Sequence, residues 1–298
     1  MILVAGGTGR VGGGVVRLLT TRGESVRVLS RDPEAGRRPG LESIEIVHGD
    51  VSDPGAVARA VAGARTVVST ITGFGPGEAG PAVVDAAGNR ALIRAARSVG
   101  AEHFILVSIA GAGPAHPLEI YRAKFQAEEE LKASGLAWTV IRPTTLMETW
   151  AMVVGAPIRA KGRAQVFGRG DNPVNFVSAN DVAGFVELAV LRPELRGVTL
   201  EVGGPENLTL NQVAALCFET CGRTGRISHL PLPVLRLASL IVPRLRPDIG
   251  RLIEAAVAMD TSDMTLEAGE LRNRYPTVPI SKFAEVVRRE LVRESVPA

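Results

Sequence analysis

Lysine is scarce in this 298-residue chain. Only Lys124, Lys132, Lys161 and Lys282 occur, and the rest of its 34 basic side chains are arginines. The arginines are interspersed with 31 acidic residues and leave a net charge of +3, so no basic tract marks a nucleic-acid surface. Aromatic residues make up 4%, too few for a base-stacking platform. Cysteine is limited to Cys217 and Cys221, four apart on a predicted helix with no further Cys or His beside them. That excludes a disulfide framework and a zinc-type ligand set, and no metal site is expected. Long apolar runs are also missing. Leu230 to Val242 comes nearest, but Pro231, Pro233 and Arg236 interrupt it, so no membrane-spanning segment is expected. The first residues carry no basic n-region, and a cytoplasmic location is expected. There is no internal repeat and no low-complexity run.

What is abundant is glycine at the start. Ile2 to Val4 is an apolar run suited to a buried parallel strand, and Gly6-Gly-Thr-Gly-Arg-Val-Gly12 follows at once. Val11, Val15, Leu18 and Leu19 then recur at helical spacing up to Gly23. Gly7-x-Gly9-x-x-Gly12 fits the dinucleotide fingerprint, and Gly6-x-x-Gly9-x-x-Gly12 fits its variant. The first glycine permits a tight turn, the second lets backbone approach a pyrophosphate, and the third lets helix pack on strand. The helix N-terminus then faces the anion.

Strands alternate with helices along the chain. Val26–Leu29, Ile44–His48, Thr66–Thr70, His103–Ser108, Trp138–Ile141 and Thr199–Val202 read as strands. Helices are expected over about 81–99, 120–131 and 179–191, and after the capping box Thr209-x-x-Gln212. With 46% hydrophobic residues, this rhythm predicts an α/β fold with a parallel sheet and right-handed crossovers. Ligands belong at the carboxyl ends of such strands. At the end of the second strand stand Ser30 and Arg31. A hydroxyl and a guanidinium suit a 2′-phosphate better than a free ribose diol, so NADP(H) is favoured over NAD(H). Arg10 is a second candidate for the same phosphate. Asp32 before Pro33-Glu34 reads as a helix N-cap. Asp50, closing the third strand, is a candidate for adenine, and the loop Thr72-Gly-Phe-Gly-Pro-Gly77 is placed to run beneath a cofactor.

Several segments then carry a likeness. Gly6-Gly-Thr-Gly-Arg-Val-Gly12, Tyr121-Arg-Ala-Lys124, Ser134-Gly-Leu136, Thr139-Val-Ile-Arg-Pro143, Phe176-Val-Ser178 with Asp181-Val-Ala183, and Gly203-Gly-Pro205 occur in order. The set resembles the atypical short-chain dehydrogenases/reductases, in particular the NmrA-like group, over roughly residues 1 to 215. The resemblance implies a Rossmann doubly wound parallel sheet as one NAD(P)-binding domain over 1–298. A small, mainly helical substrate lobe would come from about 146–175 and 205–298. It implies a cofactor groove containing Gly6, Thr8, Gly9, Arg10, Val11, Gly12, Ser30, Arg31, Asp50, Val51, Thr70, Ile71, Thr72, Lys124 and Pro143.

The chain departs from the wider family at one point. Ordinary members carry Tyr-x-x-x-Lys, with the tyrosine as acid/base, whereas here Ile120 stands four before Lys124 and Tyr121 three before. Those offsets differ by about 100° around a helix. Some NmrA-like reductases share this pattern, and in them the lysine is implicated in proton transfer. Lys124, Tyr121 and Ser108 are therefore the candidate catalytic residues, with His116 as an outside candidate. Three roles stay open for Lys124: an exposed lysine beside Glu128, a ligand of the nicotinamide ribose, or a general acid. The expected activity is NADPH-dependent reduction of a quinone, conjugated or carbonyl small molecule. Quinones should be favoured over ketones, because a phenolate product needs its proton less urgently. Two alternatives remain open: a non-catalytic NADP(H)-sensing regulator, and a cofactor-holding subunit of a larger complex, the latter suggested by the apolar Leu230–Val242 segment.

Overall fold

The computed structural model describes residues 1–32, 34 and 44–292. They divide into two compact units, Met1–Pro143 with Val182–Val202, and Thr144–Asp181 with Gly203–Ala298.

In the first unit, the apolar run at the start is strand β1, Ile2–Ala5, buried along its whole length. α1 (Arg10–Thr21) packs Val11, Val15, Val16 and Leu19 inward. β2 (Val26–Ser30), β3 (Glu45–His48), α2 (Pro54–Val61) and β4 (Thr66–Ser69) follow. A widened π-helical segment, Ala82–Gly88, runs on as α3, Asn89–Ser98. Then come β5 (His103–Val107), α4 (Glu119–Lys132) and β6 (Ala137–Pro143), with a last strand at Val198–Val202. The seven strands form one sheet in the order Val198–Val202, β6, β5, β4, β1, β2, β3. All its pairings are parallel. Both faces of such a sheet are covered, so its strands read as continuous apolar runs. Leu3, Leu29, Val67, Phe104 and Leu106 from the strands meet Val57, Leu92 and Leu131 from the helices in one core.

The register sets where a ligand sits. Ala5 pairs with Leu29 on one side and Ser69 on the other. Gly6, Ser30 and Thr70 therefore leave the sheet at one level. Strand order reverses direction between β1 and β4, the switch point at which doubly wound sheets open a crevice.

The long helix expected over 81–99 is present, but its first two turns are widened. Asp85 and Asn89 lie on its buried face, and the Asn89 amide donates to the Asp85 carbonyl at 2.7 Å. The Asn89 Oδ1 in turn accepts from Ser69 Oγ at 2.5 Å. The buried Asn89 side chain thus takes over part of the backbone bonding at the point where the helix departs from α geometry.

In the second unit, α5 (Met147–Lys161) ends at Gly162, and Leu210–Thr220 carries the expected capping box through Thr209 and Gln212. Helices Leu232–Leu245 and Pro247–Thr261 follow one another closely. The unit is mainly helical, as expected, and also holds short strands. Arg163–Phe167 pairs with Arg226–Leu230, and Val174–Val177 pairs with Thr145–Leu146 and Glu206–Leu208. The first of these strands alternates exposed and buried residues, the period-2 pattern of a half-buried strand. Phe176 and Phe283 meet edge to face, 5.2 Å apart, in its core. Cys217 and Cys221 are free, and burial pushes the Cys217 thiol up to about 12.

Candidate cofactor site

The glycine turn is dictated by contact. Gly6 has φ +83°, and a Cβ there would lie 2.7 Å from Thr70 Oγ1. A Cβ on Gly12 would lie 2.2 Å from the Gly6 carbonyl oxygen, so a side chain there would drive α1 off β1. Gly9 is less absolute, since its added Cβ would stand 3.3 Å from the same oxygen. Gly9 is also the N-cap of α1 and supplies no side-chain hydrogen bond to the first turn. No cap side chain stands in the way of an anion at this helix N-terminus.

A cleft of about 220 Å³ opens at this end of the sheet. Gly6, Thr8 and Gly9 line it from the turn, and Ser30 and Arg31 from the end of β2. Asp50 and Val51 follow β3, and Thr70, Ile71 and Thr72 follow β4. Four lining residues were not anticipated: Leu29, Gly49, Glu78 and Val84. Gly12 lies behind the turn, and Arg10, Val11, Lys124 and Pro143 lie outside the lining. Arg10 is exposed at the start of α1.

The polar groups at the β2 end are already engaged. Ser30 Oγ accepts from the Asp32 backbone N–H at 3.1 Å, and Asp32 Oδ1 from Glu34 at 2.9 Å. Asp32 thus caps the turn, while Pro33 and the helix expected after it lie outside the described residues. Arg31 makes a two-pronged bond to Glu78, at 2.9 and 3.0 Å, and stands 3.8 Å from Asp50 Oδ2. The Glu78 hydrogen bond is the main reason its guanidinium is held above the ordinary arginine range. Burial acts to raise the Asp50 carboxyl. Hydrogen bonds from the Ser52 backbone and hydroxyl, with Arg31 nearby, outweigh it and hold that carboxyl low. The next helix is capped by Asp53 instead, through the Gly55 N–H.

Behind the cleft lies a buried block. Lys124 is not the exposed lysine beside Glu128. Its Nζ donates to the carbonyls of Ile71 and Val107, each at 2.9 Å, and sits 3.0 Å from Asp85 Oδ1. Two carbonyls accept hydrogen bonds from Nζ, and the Asp85 contact is an ion pair whose Oδ1 accepts no hydrogen bond among the described residues. Asp85 Oδ2 accepts from the Gly73 N–H at 2.7 Å. One ion pair thereby ties α4, the π-helical turn, the end of β5 and the 71–73 loop together. Glu128 serves another partner. It takes two bonds from Arg142, at 2.9 and 2.7 Å, and one from the Ser108 hydroxyl. Ser108 is thereby directed into a buried carboxylate, away from the role expected of the serine after strand five. Tyr121 is buried, stacks on His116 with ring centroids 3.8 Å apart, and has its phenol pushed up by burial. The His116 Nδ1 accepts from the Leu118 N–H, and burial holds its imidazole below the usual range.

Two of these partners left signals in the sequence. Asp85 is the single charge in the apolar stretch Ala82–Ala87, and Glu78 is the one acid in a glycine- and proline-rich loop.

A seven-stranded parallel sheet, a glycine turn that admits no side chain at Gly6 or Gly12 and a cleft at the switch point define a dinucleotide-binding protein of the Rossmann class. The comparisons with known proteins narrow this. The NAD(P)H-binding family matches residues 6–193, and the chain belongs to it. It is 32% identical to the NAD(P)H azoreductase of Xenophilus azovorans over 78% of each chain. It is 27% identical to the photosystem II assembly factor Ycf39 of Trieres chinensis, over 80% of this chain and 75% of that one. Among solved structures, the NADPH complex of quinone oxidoreductase QOR2 from Escherichia coli aligns with a TM-score of 0.78 at 20% identity. That alignment covers 97% of this chain and 99% of that one.

Proposed function

We propose that the protein is an NADPH-dependent reductase of conjugated acceptors such as azo compounds and quinones. The observation that carries this is the cleft itself. Its glycine turn is open to a pyrophosphate, and its β2 end presents Arg31 and no acidic residue at the position after Ser30. The cofactor, when bound, supplies the hydride. The chain's part is to hold it. The α1 N-terminus and the glycine turn face the pyrophosphate, Arg31 exchanges Glu78 for the 2′-phosphate, and Ile71 and Thr72 lie along the floor. Lys124 fixes that floor through the Ile71 carbonyl.

The acceptor class follows from what the site does not provide. The position four before Lys124 is the apolar Ile120, Ser108 is committed to Glu128, and Lys124 is buried, bonded to two carbonyls and paired in charge with Asp85. A ketone reduced there leaves an alkoxide that needs a strong local acid. A conjugated acceptor spreads the charge and takes its proton from water. The azoreductase likeness supports this reading. The assembly-factor likeness favours a second one, in which the bound nucleotide serves a structural or sensing role without turnover.

Following NADPH oxidation with an azo dye, a benzoquinone and a simple ketone decides between them. We expect turnover with the first two and at least a tenfold lower rate with the ketone, a difference of about 1.4 kcal/mol in the barrier. Tyr121→Phe should leave these rates nearly unchanged. No oxidation with any acceptor, at saturating NADPH, would favour the sensing reading.

A further inference from the structure

Helix Leu232–Leu245 turns large aliphatic side chains to solvent. Val234 is 50% exposed, Leu237 60%, Leu240 65%, Ile241 53% and Leu245 78%. Val234, Leu237, Ile241 and Leu245 follow one another at three, four and four residues, so they share one face, with Leu240 beside it. Leu235, on the opposite side, is the buried residue of this helix. Contiguous apolar surface of this kind marks an interaction site.

Along this stretch of the sequence the charge has one sign. Between Arg223 and Pro247 stand Arg223, Arg226, Arg236, Arg244 and Arg246, and no Asp or Glu. Arg246 pairs with Asp248 at 3.1 Å. Arg236 and Arg244 are exposed and have no carboxylate partner among the described residues. Arg244 folds back onto the Leu240 carbonyl. Over the whole chain the charges nearly balance, 34 basic against 31 acidic.

We propose that this helix is an in-plane anchor for an anionic lipid surface. Its 14 residues give a length of about 21 Å, short of the roughly 30 Å of a bilayer core, so it lies along the interface instead of crossing it. A second copy of the chain is a poorer occupant, since self-pairing sets arginine against arginine with no acid in the segment to answer it. A folded protein groove is also a poorer fit. Such interfaces rest on aromatic anchors, and the exposed face is purely aliphatic. A lipid surface asks only for aliphatic area and nearby cations, and both are present.

The test uses the full-length protein and large vesicles, either pure phosphatidylcholine or with one third phosphatidylglycerol. Sedimentation should bring the protein down with the anionic vesicles and leave it largely in solution with the neutral ones. Raising the salt should weaken the anionic binding. The double substitution Leu237→Ser/Ile241→Ser should lower partitioning about tenfold or more, and Arg236→Gln/Arg244→Gln several-fold on anionic vesicles only. All these side chains are exposed, so an unchanged melting temperature and NADPH affinity will certify the fold. Four results would overturn the proposal. One is no binding to either vesicle. Another is anionic binding that survives both double substitutions. The third is a dimer in solution that the aliphatic substitutions dissociate. Retention by poly-glutamate with vesicles ignored would likewise reassign the face to an acidic polypeptide.

Discussion

Two cation–carboxylate pairs flank the cofactor cleft, and they differ in nearly every respect but charge. The Arg31 side chain is 58% exposed and its partner Glu78 27%. Lys124 is 6% exposed and Asp85 not at all. An exposed pair is worth at most about 1 kcal/mol and opens readily to a competing anion. A buried pair is different. Removing one partner strands a charge in a medium that cannot solvate it, at a cost of about 3–5 kcal/mol. The first pair is therefore suited to exchange during binding, and the second to holding the loop floor still. Both lie in the same unit, which teaches that an ion pair near a ligand site is not by itself a ligand-binding group. Exposure and unspent hydrogen-bond capacity decide.

The largest test of this contrast is Lys124→Met. It removes two hydrogen-bond donations and an ion pair, and leaves the Asp85 charge buried and uncompensated. Stability should fall by about 3–5 kcal/mol, read as a lower melting temperature without cofactor. Adding Asp85→Leu should restore part of the loss, since the uncompensated charge is then gone. A Lys124→Met protein that melts like the parent yet fails to turn over would return the lysine to the chemistry.

A second buried group extends the comparison. His103 Nε2 is 2.9 Å from Thr139 Oγ1, whose own proton goes to the Leu195 carbonyl, so the imidazole donates. Burial first, and Arg196 second, pull its pKa down to about 4. Unfolded, it would titrate near 6.5. Between those values the unfolded chain binds the extra proton, so the contribution is complete above about pH 6.5 and is lost as pH falls toward 4. The span corresponds to about 3 kcal/mol. Urea titrations at pH 7 and pH 4.5 should show the loss, and His103→Gln should flatten it. An unflattened profile would place the acid sensitivity elsewhere.

How much of this was legible beforehand follows from the same distinction. The strands of the sheet were visible because a parallel sheet buries both faces and leaves continuous apolar runs. The glycine turn was visible because Gly6 and Gly12 are imposed by backbone contact. Ser30, Arg31, Asp50 and Thr72 were placed at the cleft because strand ends fix their level. The partners were not. Glu78 comes to Arg31 across 47 residues, and Asp85 to Lys124 across 39, and no local spacing encodes such meetings. One strand of the second unit was missed for a related reason. Arg226–Leu230 is short and largely exposed, so it lacks the apolar run that betrays a core strand.

At the exposed pair, Arg31→Ala should weaken NADPH about tenfold or more while barely changing NADH. A charge-assisted contact to the 2′-phosphate is worth about 1.5–3 kcal/mol, and NADH has no such group. Calorimetric titration of both cofactors measures it. Equal losses for the two would place Arg31 in loop structure.

The smallest effect is the most discriminating. In the structure Arg31 is already occupied by Glu78, so a 2′-phosphate must displace a carboxylate and then sit near it and near Asp50. Glu78→Gln keeps the shape of the side chain and removes its charge. NADPH should then bind about three- to fivefold tighter, within the roughly 1 kcal/mol that an exposed pair is worth. NADH should change little, and the gain should shrink as salt rises, because the charges involved are exposed. The same ranking should hold for 2′,5′-ADP against 5′-ADP, fragments that test the β2 end without the nicotinamide. If Glu78→Gln weakens both cofactors alike, the carboxylate is holding the 72–80 loop against the cleft, and the two ion pairs are closer in kind than their exposure suggests.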